Sequence, residues 1–395
     1  MKFQITRHPY EHVPRKSVEG VLFICLFATF FGYVGSVMGV SPMLNTLMNT
    51  AHDLLLNTVF YLMGVVVLSG AISSLFHEFG VVYILQALFG RMMRPIFGLP
   101  GVGVLGALMA FLSDNPAVLT LSQDRRFASY FRKYELISFI NFGTAFGMGL
   151  IVMVFMLGKG YATEPALGLL AATIATAITT RLMQRMLLRD DPTLAEPMQN
   201  PTEDTEGVVT TVEPVKQREG IAMRFLNALL DGGKSGVDLG LAIIPGVIII
   251  STLVFIITFG PGADGTYDGS AYQGINLLPR LAGRVGIVFE WLFGFRSAEL
   301  IAFPITSLGA VGAALGQIPR FMQEGLMDGL DGQNAVCVFT AIGISWSGFL
   351  STFSAIFDTM GWRVLTSRAM AIHFLSGILA GVIAHWLAYI VFVLL

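Results

Sequence analysis

One stretch limits what this chain can become. Ile96 to Thr120, IFGLPGVGVLGALMAFLSDNPAVLT, is apolar apart from a Ser113-Asp114-Asn115-Pro116 cluster near its centre. Pro116 removes a backbone donor, and an ionised Asp at mid-bilayer costs about 2.5–3.5 kcal/mol on insertion scales. A straight spanning helix would leave both in lipid. A hairpin that enters, turns at residues 113–116 and leaves on the side it came from avoids this, provided protein or a watery cavity satisfies the backbone at the turn. Such a turn usually lies beside a site.

The stretch has an echo. LFGFRSAELIAFPITSLGAVGAAL, Leu292 to Leu315, aligns with it without gaps: Ile96-Phe97-Gly98-Leu99 falls over Leu292-Phe293-Gly294-Phe295, and the polar cluster over Gly309-Ala310-Val311-Gly312. Both tips break helix, one with polar groups and one with glycines. Downstream, Glu135 to Gly149 falls over Asn334 to Gly348 once the second connecting loop is allowed a few more residues. The chain reads as an internal repeat of low identity.

Hydrophobic residues make up 54% of the chain and charged ones 13%, which fits an all-α integral membrane protein with several spans of about 20 residues. Spans are expected over Glu19–Val40, Leu54–Leu75, Leu136–Leu157, Ala162–Leu187, Gly236–Phe259, Asn334–Phe357 and Ala369–Leu395. Gly80–Arg94 and Leu277–Trp291 are shorter, carry arginines and read as helices lying in the interface. Seven crossings and two re-entrant hairpins result. The first run is a retained helix, because a cleaved signal peptide has a shorter apolar core. Its basic flank is expected on the cytoplasmic side of the membrane. With this threading 19 of the 24 Lys and Arg residues fall inside; only Lys159, Arg280, Arg284, Arg296 and Arg320 fall outside. Were Leu99 to Ser122 to cross, QDRRFASYFRKYE would move to the wrong side. A crossing by Gly80–Arg94 would restore parity, but that segment is short for a span.

The expected organisation is an N-terminal segment and first helix (1–50), a first repeat (51–188, hairpin 99–122), an acidic cytosolic linker (189–233) and a second repeat (234–395, hairpin 297–323). Each repeat supplies three crossings, so the second runs inverted and the hairpins approach from opposite faces. Arg189–Gly220, rich in Pro, Thr and acidic residues, reads as a solvated tether, with partner docking as the alternative. The Gly260–Gly274 loop holds Asp264 and Asp268 too sparsely for an EF-hand.

Several classes of function are excluded. No basic patch interleaves with aromatics, so nucleic acid is not a partner. Cys25 and Cys337 each lie in an apolar run, without zinc or disulfide spacing. No HExxH, P-loop, GxSxG or DFG-type set appears; neither an enzyme nor a cofactor is expected. A metal-ion path is disfavoured for want of a Cys, Met or His cluster.

Polar groups within the spans are the candidates. Asp114 can accept from a solute hydroxyl or amine, or carry a coupling proton, and Asn115 offers both donor and acceptor; both also suit helix caps. Glu299, in the inbound limb of the second hairpin, is either a proton-coupling group or the partner of Arg296. Asn141 and Thr144, with Asn334, Thr340, Ser345, Ser347 and Ser351 in the matching span, form a polar stripe, although Ser and Thr also serve as packing glue. Ser307 and Gly309 flank the second tip. His385 reads as a lone polar contact, and His77, Glu78 and Asp358 stand near span ends.

IFGLPGVGVLGALMAFLSDNPAVL, above all its F-G-L-P-G opening, resembles the nucleoside-recognition, or Gate, domain of spore-maturation membrane proteins, bacterial ferrous-iron transporters and YjiH-type proteins. Asp114-Asn115-Pro116-Ala117 is similar to the first re-entrant hairpin of concentrative nucleoside transporters, where an acidic residue precedes Ala-Pro. The resemblance covers roughly Leu54–Leu187 and Gly236–Leu395. It implies a paired-hairpin protein with its solute between the tips, and by analogy a homo-oligomer. In one respect the chain departs: Gate domains of the iron-transporter type often carry Glu just after L-P-G, where Val102 stands here.

The expectation is therefore a secondary transporter of a small polar, nucleoside-like metabolite, coupled to H⁺ or Na⁺. Asp114, Asn115, Asn141, Thr144, Ser307, Gly309, Asn334, Thr340 and Ser345 would bind solute, with Asp114 and Glu299 taking the coupling ion or proton. The alternative is a non-transporting assembly or signalling component of the spore-maturation type.

Overall fold

A computed structural model describes residues 14–198 and 220–394, apart from 263, 284, 285 and 351. Residues 199–219 of the expected linker, together with Ser351 and Arg284, lie outside the described residues. Within them the chain is helical, and no β-strand forms. It is a multi-pass membrane protein built from two inverted repeats.

Two long spans, Val40–Glu78 and Ile221–Thr258, run antiparallel in close contact. Glycines make this possible: a Cβ on Gly70 would meet the Gly232 carbonyl at 2.5 Å, one on Gly236 would meet Val67 Cα at 2.6 Å, and one on Gly240 the Met63 side chain at 2.8 Å. Without a hydrophobic drive between helices in lipid, small residues that let backbones touch supply the packing. Arg224 pairs with Glu78 at 2.6 Å where the pair ends, on the side called here the linker end. Each helix carries one π-turn, Leu54–Val59 and Gly246–Ile250, the second following Pro245, and these turns face each other.

A second antiparallel pair, Thr163–Asp190 and Thr366–Tyr389, holds the other side of the bundle. The Thr179 hydroxyl donates to Ser376 Oγ at 3.1 Å near its middle, and Arg368 meets Asp190 at 2.5 Å at the linker end. Two spans expected to be continuous are broken here. Lys133–Thr144 resumes as Gly149–Gly158, and Gly329–Ser345 as Thr352–Thr359. Met148 (φ +54°) sits in the first break and Gly348 (φ +67°) in the second, both left-handed. A left-handed Met is costly, so packing must hold the first break in place.

Polar contacts give the directions. Lys133 N donates to Glu196 O at 3.1 Å, which starts the first broken span at the linker end. The Tyr161 hydroxyl donates to Met327 O at 3.1 Å, so the second starts at the far end. The hairpin limbs follow suit. At the linker end Arg181 donates to the carbonyls of Arg94, Pro95 and Ile96, and Arg94 pairs with Glu135. At the far end Arg296 pairs with Asp331 at 3.2 Å. Val81–Phe97 begins and finishes at the linker end, bent by 110° from Gly101–Leu112, so it lies across the bundle instead of spanning it. Its counterpart is two pieces, Leu277–Ala282 and Gly286–Phe293.

Among the described residues six helices are long and apolar enough to span. The broken Gly329–Thr359 segment, which runs from end to end, is the seventh crossing. Gly98 (φ +70°) and Gly294 (φ +68°), paired by the gapless alignment, terminate equivalent segments in equivalent left-handed turns. Phe139 fills the space over Gly106, while Phe303 stacks on Phe339 at 4.1 Å in the other copy.

Candidate solute site

The first hairpin turns at Ser113-Asp114-Asn115. Ser113 Oγ donates back to Met109 O at 2.7 Å, and Asp114 Oδ1 accepts from Asn115 N at 2.7 Å. Pro116 then opens Pro116–Gln123, the helix position where its missing N–H costs nothing. Asp114 is half-buried and Asn115 wholly buried. The Asn115 amide donates to the Ser347 carbonyl in the second break. The same side chain lies on Gly147 in the first break, where a Cβ would come within 2.2 Å of Oδ1. Met148 N adds a backbone bond to Ala110 O at 3.2 Å. One residue of the tip thus touches both broken spans, and its Oδ1 has no partner among the described residues.

The second tip turns at Gly309-Ala310, where Ala310 is extended (φ −162°). Val311 packs on Gly343, 3.2 Å from where a Cβ would sit, one helical turn before Ser347. Ser251 Oγ holds the outbound limb by donating to Ala313 O at 3.0 Å. The two tips therefore come from opposite ends onto one stretch of helix.

The expected polar set separates on this frame. Ser307, Thr340 and Ser345 are buried, and their hydroxyls have no partner among the described residues. Gly309 stands at the second tip. Thr144 donates back to Ile140 O at 2.8 Å, which makes it helix glue. Asn141 Oδ1 meets His373 Nδ1 at 2.7 Å, leaving its Nδ2 unpaired. Asn334 lies elsewhere: it donates to Phe293 O at 2.8 Å and meets His385 at 2.8 Å, beside the turn at Gly294. Eleven residues of helix, about 16 Å, separate it from Ser345. Glu299 is also remote, lining a cavity of about 680 Å³ beneath the Gly260–Gly274 loop with Arg320 and Asp268. Arg296 pairs with Asp331 instead of with Glu299. His385 is not alone, since Asn334 holds it.

Sequence reasoning passed over three residues here. His373 is fully buried, stacked on Phe353 at 4.6 Å, with Asn141 as its polar partner. Gln317 donates to Thr306 Oγ1, and its Oε1 has no partner among the described residues. Gly147 seats Asn115. Only Gly147 left a trace, in the closely spaced glycines Gly143, Gly147 and Gly149.

Each unpaired buried polar atom costs about 1–3 kcal/mol, which a bound partner offsets. Asn115 Oδ1 accepts only, so it suits a hydroxyl, an amine or a cation; the Ser307 and Ser345 hydroxyls can donate or accept. No group of three or more His, Cys, Asp or Glu suited to a metal ion occurs among the described residues. A crevice of about 380 Å³ reaches Ser113 from the linker end, between the tip and the outer helix pair, Val40–Glu78 and Ile221–Thr258.

Residues 59–160, which hold the first hairpin and first broken span, match the family model described as Gate, nucleoside recognition. No curated protein matches the chain by sequence. Its fold is similar to that of CNTnw, a concentrative nucleoside transporter, in an inward-facing substrate-bound state, at 15% identity and a TM-score of 0.51, over 95% of this chain and 86% of that one. A doubly substituted CNTnw in an outward-facing state matches over the same shares, at 15% identity and a TM-score of 0.50.

Proposed function

We propose that the chain is a secondary transporter of a small polar, nucleoside-like solute, coupled to H⁺ or Na⁺, in the inner membrane of a bacterium with its N-terminus in the cytoplasm. The observation that carries this reading is Asn115, one buried side chain that joins the first tip to both helix breaks and keeps an acceptor free. Half-helix ends and unwound backbone that meet at mid-depth are the usual means of holding solute and ion in such proteins. Asn115, Ser307 and Ser345 would hold the solute, and Asp114 would take the solute or the coupling ion. Glu299 would act at the far-end cavity. The two hairpins and the broken spans would move as one bundle against the outer helix pair, with the crevice at Ser113 as the path to the linker side.

The test is uptake of uridine and adenosine by proteoliposomes under a Na⁺ or pH gradient. Uptake is expected to be lost in Asn115→Ala and to change its ion dependence in Asp114→Asn. Uptake unchanged in a chain carrying both Asp114→Asn and Glu299→Gln would remove the roles assigned to those carboxylates. A folded chain that neither binds nor moves these solutes would favour the assembly component instead.

A further inference from the structure

The crevice at the linker end has a chemistry of its own. Where Gly70, Gly232 and Gly236 bring the outer helices together, hydroxyls of Ser69, Ser73 and Ser235 line the space beside them, and Ser113 of the first tip closes its inner end. Ser122, Ser138, Thr258 and Thr306 each satisfy their hydroxyl by donating to the carbonyl four residues back. Ser69 does not. It is 1% exposed, faces the crevice, and its Oγ has no partner among the described residues.

Charge is confined to the mouth. His77 and Asp231 are both exposed, and Asp231 stands 3.4 Å from Lys234. Deeper in, the polar groups are neutral hydroxyls able to donate or accept, set between apolar walls of Val66, Leu112 and Leu239. The volume, about 380 Å³, is within the range of small-molecule pockets. Hydroxyls facing apolar walls suit an uncharged ring that bears several hydroxyls of its own. They offer nothing to neutralise an anion.

We propose that this crevice is a second, weaker solute site on the linker side of the first tip, which takes a neutral hydroxyl-rich solute such as a pentose or the sugar of a nucleoside. It rests on the transport reading, as the station a solute occupies between the tip and the linker-side water. The test places Ser235→Cys in a chain with Cys25→Ser and Cys337→Ala and follows its maleimide labelling with uridine or ribose as probe. Labelling is expected to slow about fivefold once the probe stands near four times its Kd. It should slow as much when Asn115→Ala is added, or Asn115→Ser where the first variant does not fold. Ser69→Ala should require about fivefold more probe for the same protection. Protection that disappears with Asn115 would overturn the proposal, because it would then report occupancy of the tip alone. Labelling that neither probe slows would overturn it too. Protection without uptake would strike the transport reading and leave the crevice site standing; uptake without protection would do the reverse.

Discussion

Gly147→Ala is the sharpest single perturbation of the site. The added methyl carbon would lie 2.2 Å from Asn115 Oδ1, 2.8 Å from its Cγ and 2.9 Å from its Nδ2, so the whole amide must leave its seat. Displacing it breaks the bond to the Ser347 carbonyl, worth about 1 kcal/mol net, and overpacking a buried contact adds about 1–3 kcal/mol. The sum, about 2–4 kcal/mol, corresponds to a melting point lowered by about 3–5 °C for a chain of this size. Gly160→Ala is the control. Its φ of +95° makes any side chain strained, yet nothing lies within 4 Å of the new Cβ, so it should cost about 1 kcal/mol and leave solute binding alone. Thermal melting of the purified protein, read with and without uridine, separates the two. If Gly147→Ala melts within about 1 °C of the parent while Gly160→Ala falls further, Asn115 is not seated on the first break and the site as drawn is refuted.

Two further outcomes follow. His373→Leu should destabilise by about 1–3 kcal/mol by stranding the Asn141 amide, and adding Asn141→Leu should recover part of the loss; strictly additive losses would mean that the pair is not coupled. In the far-end loop, hydrogen bonds from Thr266 to Asp264 and from Ser270 to Asp268 hold both carboxyls below the ordinary Asp range. A lowered folded value favours the charged form in the fold. The loop therefore keeps this contribution at neutral pH and loses it as the pH falls below the ordinary Asp value of about 3.9 toward the lower folded one. A spin label at Ala271→Cys should be immobile at pH 7 and mobile once both carboxyls are protonated; Asp268→Asn should loosen it at pH 7. A label equally immobile before and after protonation would contradict the assignment.

The hairpins were legible because their cause is local. A proline beside Asp and Asn in an apolar run admits few structures in lipid, and the glycines at 98 and 294 that the alignment paired both occupy left-handed turns. Charge bias pointed to the same non-crossing first hairpin, since it depends on composition near span ends. The breaks at Met148 and Gly348 were not legible. No proline marks either, and Met148 is held left-handed by the first tip packing against it, a contact between segments far apart in the chain. The polar stripe misled in the same way. Helical spacing placed Asn141, Asn334 and Ser345 on related turns, but partners on other helices assign Asn141 to His373 and Asn334 to His385. The close contact of the outer spans had a visible cue in Gly232, Gly236 and Gly240, spaced by four.

The two hairpins enter from opposite ends, and side-specific cysteine labelling tests this most directly. In a chain with Cys25→Ser and Cys337→Ala, single cysteines at Arg91 and Tyr130 flank the first hairpin, and at Arg296 and Gln323 the second; all four positions are exposed. A membrane-impermeant maleimide should reach the first two from one side of a sealed vesicle and the last two only from the other. Labelling that splits either pair across the membrane, or puts all four on one side, would contradict it.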